Sequence, residues 1–375
     1  MSAGGTAMRL RGLMRKETYQ IVRDPSSILI AFVLPVVLLL LFGYGVSLDA
    51  KHVPLALLIE NPTTQTASFA ASLMDSEYFA PVVVRDRTAA ERALIDGDVD
   101  AIVVLRDDFA RRMYSAEGAP IQVIVDGSDT NTANIIGGYV EGAWQKWLEH
   151  MALDQGQTLK PPVAVEQRVW FNPEVRSRNF LVPGLIAIIM TLIGTLLTAL
   201  VVAREWERGT MEALMVTPVR VGEILLGKLI PYFVLGLGGM AAATAMAVWL
   251  FDVPLRGSFG VLLLVSTVFM LAALGMGLLI STVTKNQFVA GQVAIITAFL
   301  PAFILSGFLF DIASMPPVVQ VLTHVVPARY FVSSLQTLFL AGDVWPIVAT
   351  DTGALALMAA FFLGLTRRKT RKRLD

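Results

Sequence analysis

The chain has 375 residues, 55% of them hydrophobic and 16% charged, where average soluble chains carry about a quarter charged residues. Its 30 basic and 30 acidic residues cancel to a net charge of zero, so nucleic acid is not a suggested partner. The absence of cysteine excludes disulfides, thiolate metal sites and a cysteine nucleophile, and the composition instead calls for lipid to hide apolar surface.

The N-terminal tail, residues 1–27, reads as an amphipathic helix. At about 100° per residue, Ala7, Leu10, Leu13, Met14 and Ile21 fall on one side, and Arg9, Arg11, Arg15, Lys16 and Arg23 on the other. Such a helix lies in the cytoplasmic interface, although the basic residues would also serve as a bare topology signal. Glu17 sits on the apolar side and breaks the pattern.

Crossing the hydrocarbon core takes roughly 20 mostly apolar residues, and six segments reach or approach that. They are Ile28 to Leu48, Phe180 to Ala203, Leu229 to Phe251, Phe259 to Thr282, Phe288 to Phe310, and Val344 to Leu365. The fold class is therefore a polytopic α-helical membrane protein with six transmembrane helices and an inserted domain. The first span (28–48) ends on a small-x-small site, Gly45-Val46-Ser47, but its run exceeds the roughly 7 to 15 apolar residues of a signal peptide and reads as an anchor.

Residues 49–179 form the insertion, an α/β extracytoplasmic domain. Short apolar runs at Val53 to Ile59, Val82 to Val84, Ala101 to Leu105 and Ile121 to Val125 alternate with helical stretches near Thr64 to Met74, Ala89 to Ile95, Asp108 to Tyr114 and Thr130 to Leu153. Asn61-Pro62, Asp96-Gly97 and Asp126-Gly127 punctuate it as turns.

The remaining spans make a five-helix domain over residues 180–366, with a charged loop at 204–228 and a basic tail at 367–375. Basic residues before the first span and after the last, Arg367 to Arg373, place both termini in the cytoplasm. Alternation then puts the 204–228 loop inside. Within that loop, Glu205 to Val216 has the length of about three helical turns and is expected to end at Pro218, which cannot donate a backbone bond. The charges suit docking of a cytoplasmic protein, or simply keep a connector solvated. Gly222 to Leu229 matches a GxxxxGK phosphate loop, but Leu229 replaces the Ser or Thr that would hold magnesium and no strand precedes it. Lys228 reads instead as snorkelling to the interface.

Asp351 is the ionisable exception within the spans. It suggests a proton or cation path, or a side chain that reaches interfacial water two turns from the outer end. Between the fifth and sixth spans, Val318 to Val326 and Tyr330 to Leu340 look like short interfacial or re-entrant helices. His324, Arg329 and Tyr330 lie there, and Arg329, Tyr330 and Asp351 are candidates for an exit pathway or outer gate. Gly236, Gly238, Gly239, Gly275 and Gly277 permit close helix contact or bending. The sequence contains no HExxH or GxSxG motif.

Taken together, Lys16-Glu17, Arg23-Asp24-Pro25, Val182-Pro183-Gly184, Arg204 to Glu212, Thr217-Pro218, Gly227-Lys228, Ser306-Gly307, Pro316-Pro317 and Pro327 to Tyr330 carry a resemblance. The chain resembles a permease of the ABC-2 type transporter family, in the branch with a large extracytoplasmic domain that includes bacterial multidrug export permeases. The resemblance implies pairing with a second permease copy or paralogue and with two cytoplasmic ATPase subunits, in the inner membrane. ATP and magnesium would then belong to the ATPase, with no cofactor in this chain. Glu205, Trp206, Glu207, Arg208, Gly209, Thr210, Glu212 and Pro218 become candidates for the ATPase contact, with Lys16, Glu17 and Arg23 as a second group. A periplasmic adaptor is a further candidate partner. The alternatives are an ion-gradient-driven secondary transporter and a membrane-anchored extracytoplasmic sensor or assembly platform.

Overall fold

The computed structural model describes residues 3–45, 52–112, 121–126, 130–154, 171–172, 176–217 and 219–370. It divides into two compact units, Ser47–Arg168 and the remainder of the chain.

The remainder begins with helix α1, Ala3–Val22. Asp24 starts the next helix by accepting from the Ser26 amide at 3.1 Å and the Ser27 hydroxyl at 3.0 Å, with Pro25 at the first helical position. That helix is α2, Pro25–Gly45, the first span, and it carries a π turn over Leu29–Val33.

The Ser47–Arg168 unit holds β1 (Val53–Ile59), α3 (Thr64–Met74), β2 (Phe79–Val84), α4 (Arg87–Asp96), β3 (Ala101–Leu105), the single turn α5 (Phe109–Arg112), β4 (Ile121–Val125) and α6 (Thr130–Asp154). The strands form one sheet in the order β2-β1-β3-β4, parallel except where β4 runs against β3. Leu55, Leu57 and Val103 pack on one face against Phe69 of α3 and Trp147 of α6. Ala56, Leu58, Ile102 and Val104 pack on the other against Ala90 of α4. Cover on both faces explains why β1 and β3 are apolar almost without interruption.

Five further spans follow: α7 (Ser177–Glu207), then α9 (Val221–Trp249), α10 (Phe259–Thr284), α11 (Gln287–Leu305, with a π turn at Ile295–Phe299) and α14 (Trp345–Lys369). With α2 these make six helices, among the described residues, long and apolar enough to cross a membrane. The short helices α8 (Thr210–Val216), α12 (Pro317–Thr323) and α13 (Pro327–Leu340) connect them. The apolar stretch of α7 is 83% buried against 22% for α2, α11 and α14, so α7 is the central post. It packs most closely on α10, where the Thr198 hydroxyl donates to the Leu274 carbonyl at 2.8 Å and Gly194 faces Ala273.

At 31 residues α7 is about 46 Å long, well beyond a hydrocarbon core of about 30 Å. That leaves turns to spare beyond a perpendicular span. This corrects the expectation of one helix over Glu205 to Val216: α7 itself runs through Glu207, Gly209 adopts φ +67°, and α8 starts afresh at Thr210. Left-handed backbone is open to glycine at little cost and breaks the run.

Candidate coupling site

Helix α1 crosses the start of α9 at Gly227, where a Cβ would stand 2.8 Å from the Cβ of Leu13. The glycine of the GxxxxGK pattern is thus a notch for a helix. The next residue, Lys228, is 2% exposed and lies between Glu17 of α1 (1%) and Glu205 of α7 (3%). Its ammonium donates to Glu17 Oε1 at 2.8 Å and to Glu205 Oε1 at 3.1 Å. Lys16 adds a second ammonium, 2.5 Å from Glu205 Oε1 and 3.3 Å from Glu17 Oε1. The Thr210 hydroxyl, from the first residue of α8, donates to the other Glu205 oxygen.

Two ammoniums therefore balance two carboxylates, and four helices meet on them. Taking a charge out of water is costly unless partners replace the water, so the four groups stand or fall together. Burial lowers the pKa of Lys16, but the hydrogen bond to Glu205 and the charges of Glu17 and Glu205 outweigh it and hold the ammonium above its ordinary value.

Two further links flank this cluster. Arg204 donates to Asp24 Oδ2 at 2.6 Å and to Gln287 Oε1 at 3.2 Å, joining the end of α7 to the starts of α2 and α11. Burial raises the pKa of Asp24, yet the Arg204 guanidinium together with the Ser27 hydroxyl and the Ser26 amide outweighs it and holds the carboxyl below its usual range. Arg9 reaches Glu223 at 2.8 Å, and Glu223 also accepts from the Arg220 amide at 2.8 Å in the first turn of α9. Lys285, with φ +53°, sits over the Trp206 ring at 4.4 Å from its centroid.

The expected contact residues separate into two sets. Glu17, Lys16, Glu205 and Thr210 are bonded into the cluster, Trp206 lies under Lys285, and Glu207 accepts from Gln287. Arg208, Gly209 and Glu212 are exposed, and among the described residues the Arg208 and Glu212 side chains have no polar partner. Arg23 is exposed one residue before the Asp24 cap, and Pro218 lies outside the described residues.

Lys228 is the main correction. A snorkelling lysine would extend its head to water, whereas this one is held inside by two carboxylates. Glu17 explains it: the residue that spoils the apolar face of α1 is the partner of Lys228. Asp24, Glu223 and Gln287 were not legible as partners because each pairs across a long stretch of sequence.

At the other end of the bundle, Arg329, Tyr330 and Asp351 line one cavity of about 370 Å³. Arg329 turns back from α13 onto α12, donating to the Thr323 hydroxyl and lying 2.9 Å from His324 Nδ1. The Tyr330 hydroxyl donates to the His324 carbonyl at 3.1 Å. Both side chains fasten the elbow between the two short helices.

Six helices long and apolar enough to cross a membrane, three of them joined with α1 by ion pairs at one end beside the short helix α8, define a multi-pass membrane protein. The chain belongs to the ABC-2 transporter permease family: the family model for ABC-2 family transporter proteins matches residues 25–368. It is 49% identical over 368 residues to the probable multidrug ABC transporter permease YbhS of Escherichia coli strain K12, covering 98% of each chain. It is 28% identical over 368 residues to the probable multidrug ABC transporter permease YbhR of the same strain, covering 94% of this chain and 98% of the relative. The inner membrane transport permease YhhJ, also of that strain, is 28% identical over 303 residues, or 78% of this chain and 79% of the relative.

Proposed function

We propose that the chain is the permease subunit of an ATP-binding-cassette exporter, paired with a second permease copy or paralogue and driven by separate cytoplasmic ATPase subunits. The observation that carries this reading is the Glu17, Lys228 and Glu205 cluster directly behind α8. Thr210 ties α8 to Glu205, so a force on α8 reaches α1, α7 and α9 together. The exposed charges of Arg208 and Glu212 are the contact points for the ATPase, and the buried ions transmit its movement.

In this reading the charged end faces the cytoplasm with both termini, residues 49–179 lie outside the inner membrane, and ATP with magnesium is bound by the partner. Movement is outward, and drugs are the substrate suggested by the relatives named as multidrug permeases. A periplasmic adaptor would meet the 49–179 domain.

The chain has no cysteine, so a single introduced one is a unique label. Arg208→Cys and Glu212→Cys, treated with a bifunctional crosslinker in membranes, are expected to capture an ATP-binding subunit. Val82→Cys, exposed on β2, is expected to capture none. No ATPase in the product of either loop variant would overturn the coupling role.

A further inference from the structure

Helix α13 has two faces. Phe331, Leu335, Leu338 and Phe339 are buried in the bundle. Arg329, Ser333, Gln336 and Thr337, at i, i+4, i+7 and i+8, form a polar stripe on the opposite side. That stripe lines the 370 Å³ cavity, which Asp351 of α14 and Asp311 complete.

The polar groups in the cavity are unequally satisfied. Arg329 is used on the elbow, and Asp311 Oδ1 accepts from the Ala313 amide at 3.1 Å. Asp351 accepts from the hydroxyls of Ser333 and Ser334, the latter at 3.2 Å, and the Arg329 charge acts on it across the cavity, but among the described residues no lysine, arginine or histidine comes close enough to form an ion pair with it. Gln336 Nε2 is buried and has no hydrogen-bond partner. An unmatched carboxylate in a span and an unmatched amide donor are both costly in apolar surroundings, and a ligand can relieve both. With two carboxylates against one guanidinium, the cavity favours a cation.

We infer that this cavity binds a protonated amine with a hydrogen-bond acceptor close to the nitrogen. The ammonium donates to Asp351, and a rotation of the half-buried Gln336 side chain brings its free hydrogen to the acceptor. This rests on the transport reading and gives the substrate class: organic cations that also carry an oxygen acceptor. A volume of about 370 Å³ falls in the range of small-molecule sites, roughly 300–1,000 Å³.

The test uses the full chain in lipid nanodiscs and three probes of nearly equal size, followed by saturation-transfer NMR. They are 2-(2-aminoethoxy)ethanol, which is cationic, diethylene glycol, which is neutral, and 2-(2-hydroxyethoxy)acetate, which is anionic. The amine is expected to bind about tenfold or more tightly than the glycol, with the acetate weakest. Asp351→Asn should abolish the preference and Asp351→Glu should retain it. Ser333→Leu, which fills the cavity from α13, should weaken the amine about tenfold and covers the case in which Asp351→Asn fails to fold. Equal binding of the three probes, an amine preference that survives Asp351→Asn, or amine binding undiminished in Ser333→Leu overturns the inference. The experiment needs no ATPase, so failure here alongside crosslinking at Arg208 would remove only the substrate class. The reverse result would leave a cation site and remove the coupling role.

Discussion

Two polar regions interrupt the same apolar bundle, one at each end, and they are built differently. Around α8, the buried carboxylates Glu17 and Glu205 each touch a lysine ammonium at hydrogen-bonding distance, and the surrounding backbone closes on them with a glycine notch. Around α13, Asp351 has hydroxyls for partners and faces a cavity. Paired buried charges fix helices relative to one another, whereas a carboxylate with no ion pair beside empty space is arranged for something that comes and goes. The first region reads as a joint and the second as a site.

Removing the central cation should break that contrast most sharply. Lys228→Met leaves Glu17 and Glu205 buried with only the half-exposed Lys16 between them, and breaking a buried pair in this way costs about 3–5 kcal/mol. A large fall in thermal midpoint in detergent, or failure to accumulate, is expected. Adding Glu17→Gln and Glu205→Gln to the same chain should restore much of the loss, since no uncompensated ion then remains. Asp351→Asn, by comparison, should shift the midpoint little, because it strands no buried ion: Arg329 keeps its bonds to Thr323 and Gln320. If Lys228→Met proves as mild as Asp351→Asn, the distinction between joint and site is wrong.

The sequence showed most of this architecture and little of the joint. Spans are read from apolar length, a signal that survives any tertiary context, and five of the six recur within about five residues. The helix of the third starts at Val221, eight residues before the expected Leu229 and inside the expected loop, because it carries Glu223 and Lys228 in its first turns. The strands Val53–Ile59, Ala101–Leu105 and Ile121–Val125 coincide with the short apolar runs, and in the first two, central in the sheet, burial on both faces leaves no room for alternation. The joint is different, because its partners lie far apart in the chain: Lys228 pairs with Glu17 across 211 residues, and Arg204 with Asp24 across 180. One clue was present, the acid on the apolar side of α1. It demanded a buried cation, and a lysine one position after a glycine notch supplies one.

Gly227 gives the next test in size. A side chain there must displace Leu13, and overpacking of this kind costs about 1–3 kcal/mol. Gly227→Val is expected to loosen α1 while leaving the Asp351 cavity intact, measured as faster hydrogen exchange confined to residues near Leu13 and Glu17. Exchange that rises equally around α13 would show that the two ends are not independent. Gly209→Ala should cost less, about 1–2 kcal/mol, since a β-carbon disfavours φ +67° but nothing lies near enough to clash. Its expected effect falls on the angle between α7 and α8, read as a loss of crosslinking from Arg208→Cys that exceeds any loss of stability.

The smallest effect concerns acid. Asp24 has a folded pKa below its ordinary 3.8, because Arg204, the Ser27 hydroxyl and the Ser26 amide together hold the charged form more strongly than burial opposes it. A depressed carboxyl contributes stability that is fully present above the unfolded value and lost as pH falls through the folded one. The Arg204 link should therefore be constant from neutral pH down to about 4, and weaken only below that. Asp24→Asn lacks this dependence but keeps a cap for Ser26. The difference in thermal midpoint between the two chains should be steady at pH 5–7 and close at lower pH. A difference already closing near pH 6 would mean that the titrating group is not Asp24, and would move the acid-sensitive element out of the joint.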